Sequence, residues 1–331
     1  MRNLYPGIIL IIISISAVAQ NKHFTIHSIA LPPEISYYDN QFSGLQISNG
    51  KLYLMPECRL QNNHEARLYS IYLSDIDQHL KDKTYLLPFE KIRIHGLDSL
   101  AAKIKAAQQD YEGLEAFVID YPIVYFSVET STPSSYCYLL KGRLVNNDVY
   151  LEQTLLPIQK PRLPDGSIVY NAGFEAIALI RNRIHEFYEY NYFNKSYVYS
   201  YDRSFNITSK DSLPIDKVPF RITDITKTMG NHFTAINYFY NGEGADTVYR
   251  VAPTDRNNSL IKAGNSYQNY CRLIDIKYSR KHFSWKPTWI FPGEYAYYNW
   301  EGIAAYKKGY FIINDKYTPA RPYSSVLLYV R

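Results

Sequence analysis

One short pattern recurs along the 331-residue chain and restricts its fold more than any other feature. An aromatic or apolar residue is followed by Glu or Ser, a small residue, and Leu or Ile. A turn and a second strand come next. The copies are Phe42-Ser43-Gly44-Leu45, Tyr111-Glu112-Gly113-Leu114, Phe174-Glu175-Ala176-Ile177 and Trp300-Glu301-Gly302-Ile303, with a degenerate copy at Ile222-Thr223-Asp224-Ile225. Fourteen residues after positions 43, 175, 223 and 301 stand Glu57, Glu189, Asn237 and Asp315, and seventeen after 112 stands Glu129. Each copy reads as strand, tight turn, strand, with alternating apolar residues such as Leu52, Leu54 and Phe311, Ile313. Antiparallel pairing brings the start of the first strand beside the end of the second. Both polar positions of a copy therefore belong on one face of the protein.

Outer strands follow these pairs at 67–73, 136–144, 196–203, then 247–251 or 267–278, and 324–330. Four strands repeated about a centre make a β-propeller blade. The last copy runs out after three strands, and residues 23–31 supply an outer strand that closes the ring from the N-terminal side. The expectation is an all-β, five-bladed propeller, or six blades if 252–298 conceals another. The 34 tyrosines suit this, because the ring packs on a pleated surface while the hydroxyl stays wet. Tyr53, Tyr125, Tyr188, Tyr238 and Tyr317 are expected to form an aromatic rim at the mouth. One helix, 99–109, with Leu100 and Ile104 on one face, reads as a decoration between blades.

First strands line the channel of a propeller, so Ser43, Glu112, Glu175, Thr223 and Glu301 converge on the axis. Three carboxylates there repel unless one is protonated or a cation sits among them. Carboxylates and hydroxyls are hard oxygen ligands, which suit Ca²⁺ rather than zinc or copper. The same residues, as solvated turn carboxylates capping backbone amides, are the plainer alternative. Glu57, Glu129, Glu189 and Asp315 form a wider second ring, with Asn237 its neutral member. Glu57, Glu129 and Asp315 are the candidate general bases. Arg59 and Lys316, with Glu189 and Asn237, are the candidate substrate contacts.

The chain resembles the phytase-like propellers catalogued as having esterase-like activity of phytase. Asp110-Tyr111-Glu112-Gly113-Leu114 with Glu129 is similar to that family's D-x-E-G-I…E blade. The stretch 171–179 with Glu189 is similar to its N-R-G-F-E-G-L-A blade, and Asn299-Trp300-Glu301-Gly302-Ile303-Ala304 with Asp315 to its N-x-E-G-I-A…D blade. Ala172, Ala176 and Asn237-Tyr238 depart from the family's usual Arg, Gly and Glu-Arg. A secondary resemblance is to calcium-activated apyrases, whose central calcium is held by serines and glutamates. The resemblance implies a calcium-dependent hydrolase of phosphoesters or related esters. A propeller that binds a ligand or partner without turnover, with calcium only stiffening the hub, is the other reading, because propellers host both.

Arg2, the apolar run 8–15 and Ala17-Val18-Ala19 read as a signal peptide over residues 1–19, leaving 20–331 as one propeller domain outside the cytoplasm, secreted, periplasmic or at the cell surface. Cys58, Cys137 and Cys271 give neither a disulfide framework nor a zinc spacing. The net charge of +5 is scattered, without a basic arm for nucleic acid. No G-x-S-x-G, H-E-x-x-H or P-loop is present, and His185 and His232 read as strand residues rather than ligands.

Overall fold

A computed structural model describes residues 24–60, 65–242 and 244–331. The expected signal peptide lies outside the described residues. After β1 (Ile26–Ile29) and the short α1 (Pro33–Ser36), the chain lays down successive four-strand antiparallel units. The first is β2 (Phe42–Ser48), β3 (Lys51–Pro56), β4 (Arg67–Tyr72) and β5 (Glu90–His95), with α2 (Leu73–Lys81) between the last two. After α3 (Leu97–Ala106) comes β6 (Tyr111–Asp120), β7 (Ile123–Thr130), β8 (Tyr136–Val145) and β9 (Asp148–Leu151), with β10 (Leu156–Gln159) added against β8. The third unit is β11 (Phe174–Ile180), β12 (Arg183–Tyr188), β13 (Ser196–Asp202) and β14 (Asp211–Ile215).

In the fourth unit, β15 (Arg221–Met229) and β16 (His232–Phe239) are separated from their outer strands by an insertion. That insertion carries the two-residue strands β17 (Lys262–Ala263) and β18 (Ser266–Tyr267). The unit is completed by β19 (Tyr270–Ser279) and β20 (His282–Ile290), so 252–298 holds its outer half and no further unit. The segment 247–251 is not a strand; its first three residues end a 3-10 turn. Last come β21 (Trp300–Tyr306), β22 (Gly309–Asn314) and β23 (Leu327–Val330), and β1 pairs antiparallel with β23 as the outermost strand.

The first strands β2, β6, β11, β15 and β21 touch in that order and β21 returns to β2, so the ring closes. This is a β-propeller. Its outer strands also meet, β5 with β9 and β14 with β20, each pair parallel. The core divides between adjacent units. Leu114, Phe117 and Phe126 fill one interface with Leu68 and Ile92; Phe174, Tyr188 and Tyr125 fill the next. Strand alternation dictates this, since a strand between two neighbours buries both faces and needs apolar residues on each. Tyr53, Tyr125, Tyr188 and Tyr238 are consumed by these interfaces and lie buried. Of the five tyrosines expected at the mouth, only Tyr317 is exposed there.

Candidate functional site

The repeat does something specific at the axis. In β2 the register with β3 skips Ser43; in β6 the register with β7 skips Glu112. Glu175, Thr223 and Glu301 are skipped in the same way in β11, β15 and β21. The polar residue of every copy is thus the extra residue of a β-bulge, a feature that kinks a strand and re-aims one side chain. The chain gives up ladder regularity to turn these groups toward the channel.

A cavity of about 350 Å³ opens there, and ten of the twelve residues expected from sequence line it. From the first strands come Ser43, Glu112, Glu175 and Glu301; from the second-strand ends come Glu57, Glu129, Glu189 and Asp315; Arg59 and Lys316 stand with them. Thr223 and Asn237 are not among the lining residues. The Thr223 hydroxyl donates to the Trp300 carbonyl (2.7 Å), tying β15 to β21. The Asn237 amide donates to the carbonyls of Pro219 (2.8 Å) and Arg221 (2.9 Å), and its oxygen accepts from Arg272. Both are structural groups of the fourth unit. Ser43 keeps a place in the lining although its hydroxyl donates to Leu114 O at 2.6 Å.

Asp224, on β15, is not among the residues that line the cavity. It stands where the other copies carry Gly or Ala, and it is fully buried. Its Oδ2 accepts the amides of Ile303 (2.7 Å) and Leu45 (3.4 Å), and its Oδ1 that of Ile225 (2.7 Å). One carboxylate from β15 therefore pins β21 and β2. Burial raises its pKa well above the usual carboxylate value, against these three amides.

The floor holds a residue the repeat did not announce. Carboxylate oxygens of Glu115, Glu129 and Glu175 lie within 4.8 Å of one another, and all three groups are buried. Glu115 reaches the cavity because β6 has a second bulge, between Leu114 and Ala116. Gly113 and Gly173 leave room for this cluster. A Cβ on Gly113 would stand 3.0 Å from Glu115 Oε1, and one on Gly173 3.1 Å from Glu175 Oε1. Burial, then the neighbouring Glu57 and Glu129, drives the Glu115 pKa well above its ordinary value. Burial and then Glu115 do the same at Glu175, and burial then Asp315 at Glu301. Burial pushes Glu129 up to about 8, against the pull of Lys160.

Cations attend the second ring instead. Arg59 pairs with Glu57, and Arg221 with Glu189 at 3.1 Å. The Tyr249 hydroxyl also donates to Glu189, at 2.6 Å. Lys160, itself buried, donates to Thr130 O at 2.6 Å and stands 3.7 Å from Glu129 Oε1. Asp315 accepts the backbone amides of Lys316 and Tyr317 and the side chain of Asn299. Lys316 Nζ itself rests on the neutral Gln41 Oε1. At the mouth, Tyr240 and Tyr317 complete the lining.

Whether this donor set fits a hard divalent cation can be tested on one atom. Glu129 Oε1 is buried and accepts no hydrogen bond, with Lys160 standing off beyond bonding distance. Oxygens at the separation of this trio can share an ion whose Ca–O distances run about 2.3–2.6 Å. The donors are all oxygen, and the three free thiols take no part. The set fits calcium.

No family model matches the chain, and no curated protein does. Solved structures do resemble it. A GH43_1 enzyme from Xanthomonas citri superposes with TM-score 0.48 at 8% identity, over 91% of this chain and 89% of that one. A putative oxidoreductase (glucose dehydrogenase) from Thermus thermophilus gives 0.46 at 8% identity, over 93% and 100%. The Bacteroides ovatus xyloglucan GH43B gives 0.49 at 8% identity, over 91% and 54%. Likenesses of this size assign no chemistry to this chain.

Proposed function

We propose that this chain is a five-bladed β-propeller hydrolase of the phytase-like kind, exported from the cytoplasm and dependent on Ca²⁺ bound at the floor of its acidic cavity. The observation that carries the reading is the buried trio of Glu115, Glu129 and Glu175, one oxygen of which accepts no hydrogen bond. Glu112 and Glu301 flank the trio, with Ser43 as a neutral oxygen donor; Thr223 and Asn237 leave the proposed site. Bound there, the ion supplies Lewis-acid polarisation of a substrate oxygen.

The chain's own residues divide the remaining work. Glu57, raised by burial and held in place by Arg59, takes a proton from water as general base. Arg59 and Lys316 receive the anionic end of a phosphoester or related ester. Asp315 orients Lys316 through its backbone amide. Tyr240 and Tyr317 offer flat apolar surface at the mouth.

A second reading rests on a specific imbalance. Eight carboxylates face three cations in the lining, and those cations already contact Glu57, Glu189 and Gln41. A cavity so acidic suits ligand binding without turnover, calcium serving only the hub. A substrate screen decides between the two. Purified, calcium-loaded protein is assayed on phosphomonoesters, nucleotides and simple esters, beside Glu57→Gln. Turnover that Glu57→Gln lowers by roughly a hundredfold or more supports the hydrolase. Tight calcium binding with no turnover on any of them leaves the binding reading standing.

A further inference from the structure

The fourth unit breaks a rule that the first three keep. Glu57, Glu129 and Glu189 each have a basic side chain beside them, Arg59, Lys160 and Arg221. At the equivalent place in the fourth unit the cation is present and the carboxylate is not. Arg272, on β19, is the register partner of Asn237 and is 2% exposed. Its Nε donates to Asn237 Oδ1 at 2.8 Å and its NH1 to Asn257 Oδ1 at 3.3 Å, both neutral oxygens. Its NH2 is buried without a hydrogen-bond partner. A buried guanidinium met by two side-chain amides and by the rings of Phe220, Tyr270 and Trp285, with no carboxylate paired to it among the described residues, lacks the counter-charge that normally makes such burial tolerable. Arg256, a second cation, is among its strongest charged neighbours.

Beside this group lies a cleft of about 420 Å³. Asn257 and Trp285 line it, and both touch Arg272: Asn257 through the hydrogen bond, Trp285 with its ring 4.9 Å from the guanidinium carbon. Lys217, Arg256 and Tyr192 complete the walls that matter. Lys217 Nζ sits 3.7 Å over the Tyr192 ring, and Trp285 Nε1 donates to Lys217 O at 3.0 Å, which fixes both aromatics. The one carboxylate lining the cleft among the described residues, Asp255, is engaged by the Tyr192 hydroxyl (2.6 Å) and by the Asn257 backbone and side-chain amides. Counting Arg272 behind the wall, three cations surround a space that holds one committed carboxylate.

We propose that this cleft is an oxyanion site, separate from the acidic cavity, in which a carboxylate or phosphate group seats against Lys217 and Arg256 over Trp285. The anion supplies, across Asn257, the negative charge that Arg272 lacks. Arginine and lysine on an aromatic wall are suited to this, the first by its forked donors and the second as a point charge. The ligand is a small acid or a phosphorylated molecule, and the two sources separate by their response to different probes.

Thermal melting and calorimetry of the full protein test the site, in calcium-free buffer of low ionic strength. Sodium acetate and inorganic phosphate are the probes, with sodium chloride at matched ionic strength as reference. A saturable rise in Tm of a few degrees is expected for at least one probe. Response to acetate alone marks a carboxylate ligand, and to phosphate alone a phosphorylated one. Lys217→Gln with Arg256→Gln, both outside the core, should weaken that response at least tenfold. Arg272→Met should abolish it with basal Tm unchanged or higher. If Arg272→Met does not fold, the double variant decides alone. The proposal is overturned if neither probe exceeds chloride, or if the double variant responds as the wild type does.

Discussion

The inner and second rings of the cavity are built from the same residue types and held in opposite ways. Three second-ring carboxylates are met by groups of the chain: Glu57 by Arg59, Glu189 by Arg221 and Tyr249, and Asp315 by amides. Glu129, with Lys160 3.7 Å away and its Oε1 accepting no hydrogen bond, sides with the inner ring. Among the described residues, no lysine or arginine forms an ion pair with Glu112, Glu115, Glu175 or Glu301. The second ring is also stitched into the backbone, since the carbonyls of Glu57 and Glu189 accept the amides of Leu114 and Ile222 in the next unit. The lesson is a division of labour. Charges that the chain balances itself hold the blades together, whereas charges left unbalanced are a demand on a ligand.

The largest way to break this comparison is at a second-ring pair. Arg221→Ala leaves Glu189 charged and largely buried, which should cost about 3–5 kcal/mol. Chemical denaturation should show that loss equally with calcium and with chelator. If calcium restores the stability, the second ring is not independent of the ion and the division fails.

Acid titration separates the hub from the blade interior at about 3 kcal/mol. His185 is buried against Tyr278 and Phe283, and burial lowers its pKa to about 4 from 6.5. A depressed folded-state value means its contribution is complete above pH 6.5 and is lost as pH falls toward 4, at about 1.4 kcal/mol per pH unit. Glu115, Glu175 and Glu301, raised by burial, run the other way and favour the folded state on acidification of calcium-free protein. His185→Phe should therefore remove the acid-side loss and expose the opposite slope. Denaturation midpoints across the range from neutral to the His185 value that are identical in wild type and variant would contradict the burial of His185.

Much of this architecture was legible in five short motifs, because a bulge needs a recognisable sequence. An aromatic, a polar residue and a small one recur wherever a strand must turn one side chain inward. Thr223 and Asn237 carried the motif without the function, since a hydroxyl and an amide can equally bond the backbone of the next strand. Glu115 was hidden by parity. Residues 112 and 115 point to opposite faces of a regular strand, and only the second bulge brings them together. A signal existed in the offset from Glu112 to Glu129, which exceeds the other four by three. Each added rung of a hairpin takes two residues, so an odd excess requires one unpaired residue. β6 runs ten residues against seven in β2, and its turn is no longer than the others. Lys160 and Arg272 come from a connection and an outer strand, beyond the reach of any strand-pair motif, and Arg221 opens β15 one residue before the Ile222 copy begins.

Calcium sharpens the comparison at about 2.7 kcal/mol, the stabilisation expected when a ligand of the folded state stands at about a hundred times its Kd. Calorimetry should show a Tm several degrees higher with calcium than with chelator. Glu115→Gln with Glu175→Gln should erase that difference, and should raise rather than lower the Tm of the calcium-free protein, because two uncompensated buried acids are gone. A wild-type Tm indifferent to calcium would remove the metal from the proposed function.

The finest test uses two hydroxyls that occupy the same bulge position in different units. Ser43 and Thr223 each donate one hydrogen bond to a carbonyl of a neighbouring unit, Leu114 O and Trp300 O. Losing such a bond costs about 1 kcal/mol net, so Ser43→Ala and Thr223→Val should be nearly equal in calcium-free denaturation. Only Ser43 lines the cavity, and a hydroxyl that donates through its proton keeps lone pairs for an ion. Calcium affinity measured by calorimetry should therefore fall in Ser43→Ala and hold in Thr223→Val. Equal affinities in the two variants would make both hydroxyls stitches of the ring, leaving the ion to carboxylates alone.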